Sequence, residues 1–131
     1  MSENVEIVLE FLRLAAANDV EGAAALLHPE ITGTAPPGWP EQGPFEGRDA
    51  AVAETNRLTD WGENRITDID LVADKGDWVV VAYRWHVRGA VSGITSQLDV
   101  AHAVRVKEAR IIEWQSRWDR DEALEAAGLS E

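Results

Sequence analysis

The spacing of apolar side chains divides the chain into a helical first half and a strand-forming second half. Val5, Val8, Leu9, Leu12, Ala15 and Ala16 recur three and four positions apart, with Glu6, Glu10 and Arg13 on the other side, which predicts an amphipathic helix. A shorter helix is expected from Asn18 or Asp19, with Glu21 as the capping-box partner of Asn18. It should stop before Pro29, because proline disfavours helical geometry in the residue ahead of it. Ile31 to Ala35 then reads as a short strand. The segment PPGWPEQGP, Pro36 to Pro44, holds too much proline and glycine for regular structure and reads as a loop with Trp39 as its large apolar residue. A third helix is expected near Arg48, carrying Ala50 to Leu58.

From Arg65 onward the period changes to that of strands. Ile66, Ile69 and Leu71 lead to a DKGD turn at Asp74 to Asp77, which closes a hairpin onto Trp78 to Arg88. In that second strand Val79, Val81, Tyr83, Trp85 and Val87 share one face and Arg84, His86 and Arg88 the other, so the first set is the expected inner face. Gly89 and Gly93 should bend the chain before a strand in which Val100, His102, Val104 and Val106 oppose Asp99, Ala101, Ala103 and Arg105. The last strand places Ile112, Trp114, Ser116 and Trp118 together. Asp119 then caps a helix, with Glu122 three residues on and Gly128 at its end. Helices followed by a run of antiparallel strands argue for an α+β domain with helices packed on one face of a curved sheet.

Composition narrows the partners. With 131 residues the chain makes one domain, and its 12 basic against 24 acidic residues give a net charge of −12 that repels phosphate backbones and anionic membranes. Neither nucleic acid nor a membrane is expected as a partner, and no stretch approaches the roughly 20 apolar residues that span a bilayer. The absence of cysteine removes disulfides, thiolate nucleophiles and cysteine metal sites. Glu3, Glu6 and Glu10 make the start of the chain unlike a signal peptide, so a cytoplasmic protein is expected. The three histidines are not spaced as local metal ligands, and neither a phosphate-cradling glycine loop nor a dinucleotide fingerprint occurs, so no metal and no cofactor are expected.

The candidate chemistry lies on the inner face of the strands. Tyr83, Trp85, His102, Trp114 and Ser116 would line an aromatic cup around one imidazole, a pocket suited to an apolar small molecule. Burial among valines should lower the histidine pKa from about 6.5 and keep His102 neutral, able to donate and accept. His102 is then the candidate acid/base, and Tyr83 the hydroxyl that polarises a carbonyl, enolate or alkoxide oxygen. Ser116 would orient His102 or a water, being a poor nucleophile without a strong base. A His102 satisfied by Ser116 or by a backbone carbonyl would equally be a core residue. His28, ahead of Pro29 at a helix end, reads as structural, and His86, between Arg84 and Arg88 on the opposite face, as facing solvent or a dimer contact. A one-residue register slip would instead bring Arg84 and His86 inside.

The order of elements, the FEGRDAA segment, the AHAVRV strand and the EALEAAGL ending together resemble a SnoaL-like member of the nuclear transport factor two-like superfamily. The likeness spans the chain and implies one SnoaL-like domain over residues 1–131. Its shape would be an α+β cone, with N-terminal helices packed on a curved, mainly antiparallel β-sheet enclosing a pocket, in a homodimer. The scaffold hosts polyketide cyclases, ketosteroid isomerases, epoxide hydrolases, dehydratases and members that bind without catalysing. The polyketide-cyclase pattern puts its aspartate at Ser116, its histidine at His102 and its glutamine at Val100, so the histidine alone is kept. The limonene-epoxide hydrolase pattern, at Gly33, Ala35, Tyr83, Trp85 and Ser116, is not kept. The ketosteroid-isomerase pattern would put a tyrosine at Phe11, the base at Ala35 and the protonated aspartate at His102.

Together these readings point to a hydrophobic polyketide-, steroid- or terpenoid-like ligand. Cofactor-independent isomerisation, cyclisation or dehydration would use His102 and Tyr83, with Phe11, Trp39, Trp85, Val100, Trp114, Ser116 and Trp118 lining the pocket. The alternative is a ligand-binding or dimerisation domain without catalysis, for which the missing aspartate at Ser116 speaks.

Overall fold

The computed structural model of the protein describes residues 2–17, 19–35, 38, 44–59, 62–89, 93 and 95–129. Its elements are α1 (Glu3–Ala16), α2 (Val20–Ala25), β1 (Leu27–Thr34), β2 (Phe45–Glu46), α3 (Arg48–Thr59), β3 (Gly62–Lys75), β4 (Trp78–Gly89), β5 (Thr95–Lys107), β6 (Arg110–Arg117) and α4 (Arg120–Ala126). The six strands form one sheet in the order β2-β1-β6-β5-β4-β3, antiparallel throughout except where β1 runs parallel to β6. The protein is thus an α+β domain of helices on a mixed, mostly antiparallel sheet. Among the described residues no helix is long and apolar enough to cross a membrane.

Each face of the sheet is covered by a different part of the chain. Val5, Val8, Phe11 and Leu12 of α1 pack on Val79, Val81, Val104, Val106 and Ile111, all buried. On the other face Ala123 and Ala127, at the end of the chain, cover Val80, Ala82, Ala101 and Ala103. The unbroken apolar run Val79–Ala82 follows from this, since a strand buried on both sides cannot alternate with polar residues. The last helix therefore packs opposite the others, and the expectation of helices on one face holds only for the N-terminal ones. Small alanines on both partners let α4 approach the sheet closely.

Local chemistry explains where the elements begin. The Ser2 hydroxyl accepts from the Val5 amide at 3.2 Å and caps α1, while Glu3 and Glu6 sit in the first turn and Arg13 in the last, each sign favourable to the helix dipole. Helix α2 is capped differently from the expected box: Asp19 accepts from the Gly22 amide at 3.0 Å. Asn18 lies outside the described residues. A two-residue loop joins β3 to β4, with Lys75 opposite Trp78 and Gly76 at φ 59°, the positive φ that a tight hairpin asks of its first loop residue.

Three sequence expectations need correction. The first strand is Leu27–Thr34, longer than Ile31 to Ala35, and its pairing with β6 shifts between Leu27 and Thr32, around a proline that has no amide to give the ladder. His28 accordingly lies on this strand, not at a helix end, and its Nδ1 accepts from the Glu30 amide at 3.0 Å. In β6 the pairing shifts between Arg105 and Val106, so Ile111 enters the core fully buried and Ile112 becomes the extra, half-buried residue. Most of the expected Pro36–Pro44 loop, Trp39 included, lies outside the described residues.

Candidate functional site

The register of three strands assembles the site. Val81 on β4 faces His102 on β5, which faces Ser116 on β6; one step along, Val79, Val104 and Trp114 form the next row. Alternation puts all of these side chains on the face covered by α1. Tyr83 pairs with Val100, two residues from Val81, and its ring is long enough to reach back diagonally to the imidazole. The structure brings Tyr83 Oη to 2.7 Å from His102 Nε2 and Ser116 Oγ to 2.9 Å from His102 Nδ1.

Aromatic rings close around this polar row. The Trp114 ring lies 4.7 Å from the His102 ring and 5.1 Å from the Phe11 ring, centroid to centroid, both tilted. The Tyr83 and His102 rings are 5.2 Å apart. Trp114 also donates its indole N–H to Ser116 Oγ at 3.1 Å. Phe11, Val100, His102 and Ser116 are buried, whereas Tyr83, Trp85 and Trp114 are half-buried.

Burial sets the protonation states. The imidazolium form of His102 is disfavoured by desolvation, which pushes its pKa down to about 3, and the same cause pushes the Tyr83 phenol above its usual value. Both groups are neutral at ordinary pH. No described buried side-chain nitrogen or oxygen lacks a hydrogen-bond partner, so the row is polar but satisfied. Neutral imidazole against neutral phenol at hydrogen-bond distance can pass a proton between them and can hold a ligand oxygen. It cannot act as a strongly basic pair, because neither member touches a carboxylate among the described residues.

Five of the expected site residues converge: His102, Tyr83, Ser116, Trp114 and Phe11 lie within one network of hydrogen bonds and ring contacts. Val100 adjoins them opposite Tyr83. Trp85 stands on the same strand face two residues beyond Tyr83, between Ile66 of β3 and Leu98 of β5. Trp118 follows the end of β6 and borders a hollow of about 520 Å³ where β4 and β5 meet the start of α4, together with Ala82, Arg84, Asp99 and Ala101. Arg84 and His86 stay off the cup: Arg84 pairs with Asp99 at 3.0 Å, and His86 Nε2 lies 2.7 Å from Thr67 Oγ1. The sequence reading missed the Trp114 to Ser116 hydrogen bond. Its signal was present in their separation of two on a strand, which puts both on one side. Among the described residues no group of acidic residues or histidines is arranged to hold a metal ion.

Known proteins can be set beside this geometry. A family model described as the SnoaL-like domain matches residues 8–114. None of the curated proteins matches the sequence. Among solved structures, an NTF2-like protein of Burkholderia xenovorans LB400 is 25% identical, with 95% of each chain covered and a TM-score of 0.75. Another NTF2-like protein, from Burkholderia pseudomallei, is 25% identical over 95% of this chain and 97% of its own, with a TM-score of 0.78. A Δ5-3-ketosteroid isomerase from Mycobacterium sp. is similar in fold alone, at 18% identity over 92% of this chain and 96% of its own, with a TM-score of 0.78. With the model matched across most of its length and the fold shared with NTF2-like structures, the chain belongs to the SnoaL-like domain family.

Proposed function

We propose that the cup formed by Tyr83, His102, Ser116, Trp114 and Phe11 binds a hydrophobic small molecule of polyketide, steroid or terpenoid type, without a cofactor. The observation that carries this is the 2.7 Å contact of the Tyr83 hydroxyl with His102, set among aromatic rings. Pockets for such ligands are apolar with a few fixed polar groups, and the Tyr83 phenol would be such a group here. In the catalytic form of the proposal Tyr83 stabilises charge developing on a ligand oxygen, while His102 supports it as acid/base partner through their hydrogen bond. Isomerisation, cyclisation or dehydration would fit those roles. The isomerase that shares the fold makes steroids a sensible part of any ligand panel.

A thermal-shift screen against steroids, aromatic polyketides, terpenoids and their epoxides tests the binding claim. A ligand at about a hundred times its Kd should stabilise the protein by roughly 2.7 kcal/mol; no shift across the panel would remove the support for these ligand classes. His102→Phe should keep the affinity of a hit and, if turnover exists, lower it by about 10²–10⁴-fold. A second reading, binding without catalysis, is favoured by the serine at position 116 and by the lack of any carboxylate contact to His102 or Tyr83 among the described residues. Under it, hits bind and none is converted. The proposal includes a homodimer, which rests on the resemblance, and a monomer mass in light scattering would remove that part.

A further inference from the structure

The hydrogen bonds of the site form a chain whose direction can be worked out. Trp114 Nε1 lies 3.1 Å from Ser116 Oγ, Ser116 Oγ 2.9 Å from His102 Nδ1, and His102 Nε2 2.7 Å from Tyr83 Oη. The indole N–H can only donate, so it occupies one lone pair of the serine oxygen. A neutral imidazole carries one N–H and one bare nitrogen, which leaves two arrangements. If Nδ1 held the proton, it would donate to Ser116 and Nε2 would accept from Tyr83. Both lone pairs of the serine oxygen would then be taken, and its own proton would have no acceptor among the described residues. If Nε2 holds the proton, Ser116 donates to Nδ1, Nε2–H donates to Tyr83, and the unspent proton is the phenolic one.

The two arrangements therefore differ in where one unspent proton lies. Ser116 is 7% exposed and Tyr83 is the more exposed residue of the two, so the second arrangement places the unspent proton on the residue nearer the surface. A buried donor without an acceptor is the costlier outcome. We propose that Ser116, oriented by the Trp114 indole, holds His102 as the Nε2–H tautomer and so turns Tyr83 into a dedicated donor, selecting ligands that present a carbonyl or enolate oxygen at that point. Ser116 and Trp114 are positioning residues here, since they act through His102. The ligand half of the proposal rests on the cup being a binding site; the tautomer half does not.

Heteronuclear NMR of the imidazole ring nitrogens in the ligand-free protein near neutral pH reads the tautomer directly. The expected result is a protonated, pyrrole-type Nε2 and a bare Nδ1; a protonated Nδ1 overturns the inference. Ser116→Asp replaces the hydroxyl with a group that only accepts, so the protonated nitrogen should switch to Nδ1. A folded Ser116→Asp protein that retained Nε2–H would overturn the role of Ser116. Should that variant not fold, Ser116→Thr keeps the hydroxyl that donates to Nδ1 and should keep the protonated Nε2; a protonated Nδ1 in that variant overturns the role of the hydroxyl. All of these are read without ligand, so a wrong tautomer leaves the binding proposal intact, and a failure to bind leaves the tautomer standing.

Discussion

His102 is the residue on which most of the site's physics turns. Its folded pKa of about 3 lies below the unfolded value of about 6.5, so the folded state binds no proton where the unfolded state does. Stability contributed by the neutral, hydrogen-bonded ring is fully present above pH 6.5 and is lost as the pH falls from there towards 3, at about 1.4 kcal/mol per pH unit. Replacing it with glutamine, which keeps an amide donor and acceptor, removes that titration. The stability difference between wild type and His102→Gln should therefore shrink by roughly 1 kcal/mol for each unit of acidification below pH 6.5. Urea unfolding at a series of pH values measures it, and parallel curves for the two proteins would contradict the buried neutral state. At this scale the sequence was readable, because His102 and Ser116 each interrupt an alternating apolar row. Trp114 as the donor to Ser116 was less readable, since a tryptophan on a strand face looks the same whether its N–H has a partner or not.

Among the elements, α4 does the least expected thing by covering the sheet face opposite α1. Ala123 is fully buried there against Ala101 and Ala103. Ala123→Leu should destabilise the protein by about 1–3 kcal/mol through overpacking, read as a lower midpoint in chemical denaturation; an unchanged midpoint would mean that α4 is not held against the sheet. The start of this helix was legible in the sequence, and the Asp119 carboxylate does accept from the Glu122 amide at 2.9 Å. So were α1, whose pattern is long and strongly periodic, the β3–β4 hairpin, from its turn residues and the alternation of β4, and α3, although its apolar stripe is weak. Strand β1 was only half legible, because LHPE at its start mixes polar residues with a proline and mimics a loop. The bulge at Ile112 was not legible at all. It depends on which residue of β5 lies opposite, information that no single strand carries.

For the molecule as a whole, the charge of −12 and the apolar core around Tyr83 and Trp114 describe two different environments. The acidic exterior keeps polyanions away, and the cup lies where the middle strands meet the packed face of α1. A ligand bound there as proposed would trade water for aromatic rings and would find one polar group in return, the Tyr83 hydroxyl. Calorimetric titration of a carbonyl-bearing hit into wild-type protein and Tyr83→Phe tests this most directly. Loss of one hydrogen bond of about 0.5–1.5 kcal/mol should weaken binding roughly 2- to 10-fold in the variant, with the fold unchanged. Equal affinity in the two proteins would contradict Tyr83 as the point of ligand contact, and with it the central reading of the cup.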